Sequence, residues 1–213
     1  MTRSLFRIAP FALAVAVTVP ALSGCVGMAI GAGAEAGVAG SQERGFSGSL
    51  DDAKIRTDIN AAWLNKSGEM YRKVDLNIYE GRVMLTGYVP NATERDDAVR
   101  LTWQVSGVKE VINEIQVDPN GLGFSDQSHD LWIQQKLQSQ LLFDKEVKNI
   151  NYYIDVVDSV IYILGVAQNQ AEMDRVLAHA SDISGVKRVV NHVILINDPR
   201  RVSGGPATPV PVG

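Results

Sequence analysis

The chain carries a copy of part of itself. Ser106-Gly107-Val108-Lys109-Glu110-Val111-Ile112-Asn113 returns 78 residues later as Ser184-Gly185-Val186-Lys187-Arg188-Val189-Val190-Asn191. The same offset, held without a gap, places Gly87 on Gly165, Asn91 on Asn169 and Glu94 on Glu172. It also places Ile55 on Ile133, Ile59 on Leu137 and Leu64 on Leu142. A fixed period marks repeat architecture, but two copies of about 70 residues predict two small domains rather than a solenoid.

Periodicity orders the elements within a copy. In copy one Leu50, Ile55, Ile59 and Ala62 fall on one helical face, and Asp51 and Asp52 suit a helix start. Val74, Leu76 and Ile78 alternate with Asp75 and Asn77, the pattern of a half-buried strand. Glu80-Gly81 signals a tight turn into a return strand at Val83, Leu85 and Gly87. Asn91 with Glu94, and Asn169 with Glu172, are capping pairs that open a second helix. Ala98, Thr102 and Val105 line that helix, matched by Val176, Ala180 and Ile183. Gly107 and Gly185 stand where a helix closes in a left-handed conformation, and Val108, Val111, Ile115 and Val117 follow as a last strand. The order α-β-β-α-β, a hairpin and then a helical crossover, predicts an α+β fold with a three-stranded mixed sheet and two helices on one face.

The flanks carry an address. Arg3 and Arg7 precede the apolar run Phe11 to Val19, too short to span a bilayer and ended by Pro20, which reads as a secretory signal. Leu22-Ser23-Gly24-Cys25 resembles the bacterial lipobox, whose cysteine is acylated and becomes the first residue after cleavage. Cys25 is the only cysteine, so no internal disulfide is available and lipid attachment gives the thiol a purpose. The resemblance implies N-acyl and S-diacylglycerol groups on Cys25, firm anchoring by several acyl chains, and no other cofactor. With Val26 where an inner-membrane lipoprotein has aspartate, it implies the periplasmic side of a Gram-negative outer membrane. The layout is then a signal peptide over 1–24, the lipidated Cys25 and a flexible Gly/Ala tether over 25–49, and domains over 50–118 and 128–197. A linker fills 119–127, short enough to keep the domains adjacent, and 198–213 is a tail disordered on composition.

Catalysis has little to stand on. His129, His179 and His192 lie in separate elements without metal-ligand spacing, and no nucleophile elbow, phosphate loop or dinucleotide fingerprint occurs. The expectation is a protein that is not an enzyme, with no metal, no catalytic residue and no small-molecule substrate. Trp63 and Trp103 read as core or interdomain packing.

The α-β-β-α-β order, the central strand glycine and the Ser-Gly-Val-Lys-x-Val-x-Asn ending resemble BON domains, once in each copy. Together with the lipobox, the whole chain is similar to dual-BON outer-membrane lipoproteins that maintain the envelope permeability barrier. That resemblance implies binding of anionic phospholipid, chiefly through the second domain.

Differences between the copies point to where such binding resides. Lys54 of copy one aligns with Trp132 of copy two, just ahead of the core positions Ile55 and Ile133. A lysine there is exposed, so Trp132 is expected to be exposed too. Trp132 with Leu131 beside it and Lys136 one turn on suits a membrane interface, the ring at headgroup level and the lysine on phosphate. Packing of Trp132 on the linker or the first domain is the alternative. Charge is no broad attractor: without residues 1–24 the chain has 18 basic and 24 acidic residues, and copy two has six against eight. Local charge must serve, from Lys136, Lys187 or Arg188. Nucleic acid is disfavoured by the same balance. The expected function is support of envelope integrity by phospholipid binding through copy two. A membrane-tethered adaptor for an envelope protein is the competing expectation.

Overall fold

The structure is a computed structural model that describes residues 42–119 and 127–202. Cys25 with the signal and most of the tether, the linker residues 120–126 and the tail from 203 onward lie outside the described residues.

Copy one comprises α1 (Gly45–Lys66), α2 (Gly68–Lys73), β1 (Val74–Tyr79), β2 (Arg82–Val89), α3 (Ala92–Trp103), β3 (Glu110–Asn113) and β4 (Gln116–Val117). Copy two comprises α4 (Gln127–Phe143), a 3-10 turn (Asn149–Asn151), β5 (Tyr152–Val157), β6 (Val160–Ala167), α5 (Gln170–Ser181) and β7 (Arg188–Leu195), followed by the short α6 (Pro199–Val202). The mixed sheet is present twice. β1 runs antiparallel to β2 with β3 and β4 parallel to it, and β5, β6 and β7 repeat the pattern. Glu114 N–H donates to Leu85 O (2.8 Å) between β3 and β4, so the two are one kinked strand equivalent to β7.

Local chemistry explains most of these elements. Asn91 and Asn169 accept from the N–H of Glu94 (2.9 Å) and Glu172 (3.0 Å), capping α3 and α5 as expected. Both hairpin turns place their two central residues in the left-handed region: Glu80 and Gly81 in copy one, Asp158 and Ser159 in copy two. A carboxylate from the first helix of each copy holds the turn. Asp52 accepts from Glu80 N–H (2.9 Å) and Gly81 N–H (2.8 Å), and Asp130 accepts from Asp158 and Ser159 N–H (both 2.7 Å). Gly87 and Gly165 sit where a Cβ would lie 2.3 and 2.2 Å from the carbonyl oxygens of Lys73 and Asn151. They mark close backbone packing rather than a ligand.

Several expectations need correction. α1 begins at Gly45, not at 50, and Asp52 lies inside it as a buried turn clamp rather than at its start. Its buried row is Ile55, Ile59 and Trp63, while Leu50 is exposed and Ala62 only half-buried, because the helix turns its indole row inward. Trp103 does not pack in a core either; it is exposed at the end of α3. The tail is ordered at its start. α6 lets Arg201 pair with Glu80 (2.6 and 2.8 Å) across the two domains.

The edge strands β1 and β5 alternate as expected, but the central strands β2 and β6 are buried on both faces. One face of each sheet carries its helices, the short α2 adding Met70 in copy one, giving two separate cores around Ile59 and Leu137. The other faces meet. Tyr79, Met84 and Ile112 of copy one form a single cluster with Val157, Tyr162, Leu164, Val166 and Ile194 of copy two. The molecule is a four-layer α-β-β-α sandwich, and each domain covers the sheet face the other leaves bare. That sharing suits units too small to build ample cores alone.

Polar contacts lock the layers. Thr86 donates to Asp155, Arg82 donates to His192 O (3.0 Å), and His192 Nε2 meets Glu114 Oε1 at 2.8 Å. Residues just before α1 reach across as well. Gln42 donates to Ile150 O (2.7 Å), Glu43 pairs with Lys148 (2.6 Å), and Arg44 donates to Tyr153 Oη (2.9 Å). The Arg44 guanidinium is buried against Asp52 (2.5 Å) and lies over the rings of Tyr79 and Tyr153. Burial works to lower its pKa, but Tyr153 and Asp52 hold it above the usual arginine value.

Candidate functional site

α4 has two faces of different chemistry. Ile133, Leu137 and Leu141 are buried in the core of copy two. The opposite face shows Leu131 and Trp132 at one end and Leu142 and Phe143 at the other, with Phe143 80% exposed. Between them lie Gln135, Gln138 and Ser139, exposed and uncharged. Eleven residues separate Leu131 from Leu142, about three helical turns and about 16 Å, so both ends fall on one side of the helix. Asp130 and Lys136 are its only Asp, Glu, Lys or Arg side chains, and Asp130 is turned to the hairpin.

The indole is held in place without being covered. Trp132 stacks on His129, with ring centroids 5.8 Å apart and planes 13° apart, and remains 46% exposed. Lys136 Nζ lies 4.8 Å from the indole centroid, a cation–π contact that fixes the ammonium beside the apolar ring. Trp132 is thus not buried, and the linker residues 120–126 lie outside the described residues.

The five residues singled out from sequence are not one cluster. Leu131, Trp132 and Lys136 share the exposed side of α4. Lys187 lies at the same end of the domain, because its partner Asp158 (2.5 Å) is bonded to Asp130 at the start of α4. Arg188 is elsewhere. It stands opposite Val160 in the β6–β7 ladder, on the face turned to copy one, near Tyr162. Lys187 stands just before β7 and turns to the hairpin, whereas Arg188 opens the strand. Leu142 and Phe143 were missed; the signal was an apolar pair following the last core residue, Leu141, at the helix end. Among the described residues no helix is long and apolar enough to cross a membrane, and no three His, Cys, Asp or Glu side chains are grouped to hold a metal.

The chain is thus a two-domain protein whose sheets share an interface and whose helix α4 leaves apolar side chains exposed. The BON domain profile matches residues 51–119 and 129–197, one match for each copy, and the chain belongs to the BON-domain family. The outer membrane lipoprotein DolP of Haemophilus influenzae is 34% identical over 171 residues, covering 79% of this chain and 87% of that protein. An uncharacterised protein of Anaplasma centrale, from the gshII 5′ region, is 34% identical over 68% of this chain and 95% of its own length. The osmotically inducible protein Y of Escherichia coli is 24% identical, covering 67% of this chain and 71% of its own.

Proposed function

We propose that this protein is a non-enzymatic lipoprotein of the outer membrane, anchored through acylated Cys25 and facing the periplasm. In this reading it supports envelope integrity by laying α4 of its second BON domain on anionic phospholipid. The similarity to an outer membrane lipoprotein supports the address. The observation that carries the lipid reading is the bare face of α4, with an apolar pair at each end and Lys136 held beside Trp132. A helix lying in the interface places its aromatic ring at headgroup depth and its cation on phosphate. The net negative charge of the chain works against long-range attraction, so binding depends on burial of these side chains and is local.

Vesicle flotation of the non-acylated chain starting at Val26 tests this. The expected result is flotation with phosphatidylglycerol vesicles, weak flotation with phosphatidylcholine, and loss of both for Trp132→Ala. Equal and negligible flotation with the two vesicle types would sink the lipid reading and favour an adaptor for an envelope protein, with α4 as its docking helix.

A further inference from the structure

The two domains leave a cleft of about 340 Å³ between α2 and β1 of copy one and α4 and β5 of copy two. Arg72, Asp75, Leu131, Gln134 and Asp155 line it. Leu131 belongs equally to the bare face of α4, so the cleft opens beside the proposed membrane surface.

Its charges are unevenly satisfied. Asp155 lies deeper and accepts from Thr86 and from Val156 N–H (2.9 Å). Arg72 at the end of α2 and Asp75 on β1 are both exposed, and neither has a hydrogen-bond or ion-pair partner among the described residues. The two stand three positions apart on one wall of the cleft without pairing with each other. Their counterparts in copy two are Ile150 and Tyr153, neither charged. Copy one thus supplies an unpaired cation and an unpaired anion next to the apolar helix of copy two. Burial and the nearby charge of Asp155 push the Asp75 carboxyl up to about 6, so a cation placed between the two carboxylates relieves them.

We infer that this cleft receives the headgroup of an ethanolamine phospholipid while α4 rests on the bilayer. Resting on the lipid reading above, the inference adds a second, zwitterionic component to it. The phosphate meets the Arg72 guanidinium, and the primary ammonium donates to Asp75 with Asp155 behind it. Choline carries the same net charge but no N–H, so it forfeits the donated hydrogen bonds. The first domain thereby acquires a part in membrane contact, as the wall that reads the headgroup.

The test uses the non-acylated chain from Val26 and two vesicle types of equal phosphatidylglycerol content, the remainder being phosphatidylethanolamine in one and phosphatidylcholine in the other. Wild type should bind the ethanolamine vesicles about tenfold more tightly, the size of one charge-assisted hydrogen bond. Asp75→Asn should lose that preference and keep its binding to the choline vesicles; Arg72→Gln should bind the ethanolamine vesicles more weakly. Circular dichroism of each variant checks that the fold is retained. Equal affinity of wild type for the two vesicles, with Trp132 still required, overturns the headgroup inference and leaves the lipid reading standing. A preference that survives Asp75→Asn also overturns it, because bilayer packing then explains the difference. No binding to either vesicle overturns both.

Discussion

α1 and α4 occupy the same place in their copies and agree on the inside while differing on the outside. Inward, Ile55, Ile59 and Trp63 answer to Ile133, Leu137 and Leu141, all buried. Just before each row, Asp52 and Asp130 clamp the hairpin turn in the same way. One turn on, Arg56 and Gln134 each donate to a strand carbonyl, Leu76 O and Ile154 O, at 2.7 Å. Outward, copy one pairs Lys54 with Asp58 at 2.6 Å, and copy two puts Trp132 against Lys136 at the same two positions. A solvated ion pair has become an aromatic–cation pair on an otherwise uncharged face. The duplication kept what folds the unit and changed what the unit shows.

The sharpest break in that likeness lies in the turn clamps. Asp52 carries more than Asp130, because it also neutralises buried Arg44. Asp52→Ala removes the only carboxylate paired with buried Arg44 among the described residues, together with the acceptor of two turn N–H groups, and a loss of about 3 to 5 kcal/mol in urea unfolding is expected. Asp130→Ala removes only the turn bonds at a half-buried site and should cost about 1 to 3 kcal/mol. Equal losses would mean that Arg44 is not the stitch between domains that its contacts make it.

Next in size is a transplant of the outer face. Trp132→Lys with Lys136→Asp rebuilds on α4 the ion pair of α1. Binding to anionic vesicles should fall about 10- to 100-fold, the value of one large apolar side chain withdrawn from the interface. Stability should change by no more than about 0.5 kcal/mol, since both positions face solvent. Undiminished vesicle binding would move the lipid contact away from α4.

What could be read from the chain beforehand follows the range of the interaction. Capping pairs span three residues and tight turns span two, so Asn91–Glu94, Asn169–Glu172 and Glu80-Gly81 announce themselves. The face-to-face packing of the sheets was hidden, because the outward side of β2 alternates Arg82, Met84, Thr86 and Tyr88, which reads as a solvated face. Only β6 gave it away: Val160 to Ala167 is apolar on both faces, the mark of a strand buried on both sides. The reach of Arg201 to Glu80 spans 121 residues and has no local signature. At the site, Trp132 emerged because its aligned partner is a lysine. Leu142 stayed hidden because its partner, Leu64, is also apolar, and a shared leucine reads as core although both are exposed.

The smallest expected effect concerns Asp75, whose place in copy two is taken by Tyr153. Its carboxyl is harder to ionise in the folded protein than in the unfolded chain, first through burial and then through the charge of Asp155. Such a group costs stability above its folded value of about 6 and returns it as pH falls from there towards the ordinary 3.8. Asp155 is displaced in the same direction, again by burial first. Asp97, Asp144 and Asp198 are held low by Arg100, His179 and Arg200, and they lose stabilisation on acidification, so the pH profile of the whole protein mixes both signs. The clean readout is the difference between Asp75→Asn and wild type in urea unfolding across pH. The variant should be the more stable one at about pH 8, by about 0.5 kcal/mol because solvent in the open cleft screens the pair, with the gap closing towards about pH 4. A gap that stays constant with pH would mean that Asp75 and Asp155 do not sense each other across the domains, and the cleft would lose the charge pattern that distinguishes copy one from copy two.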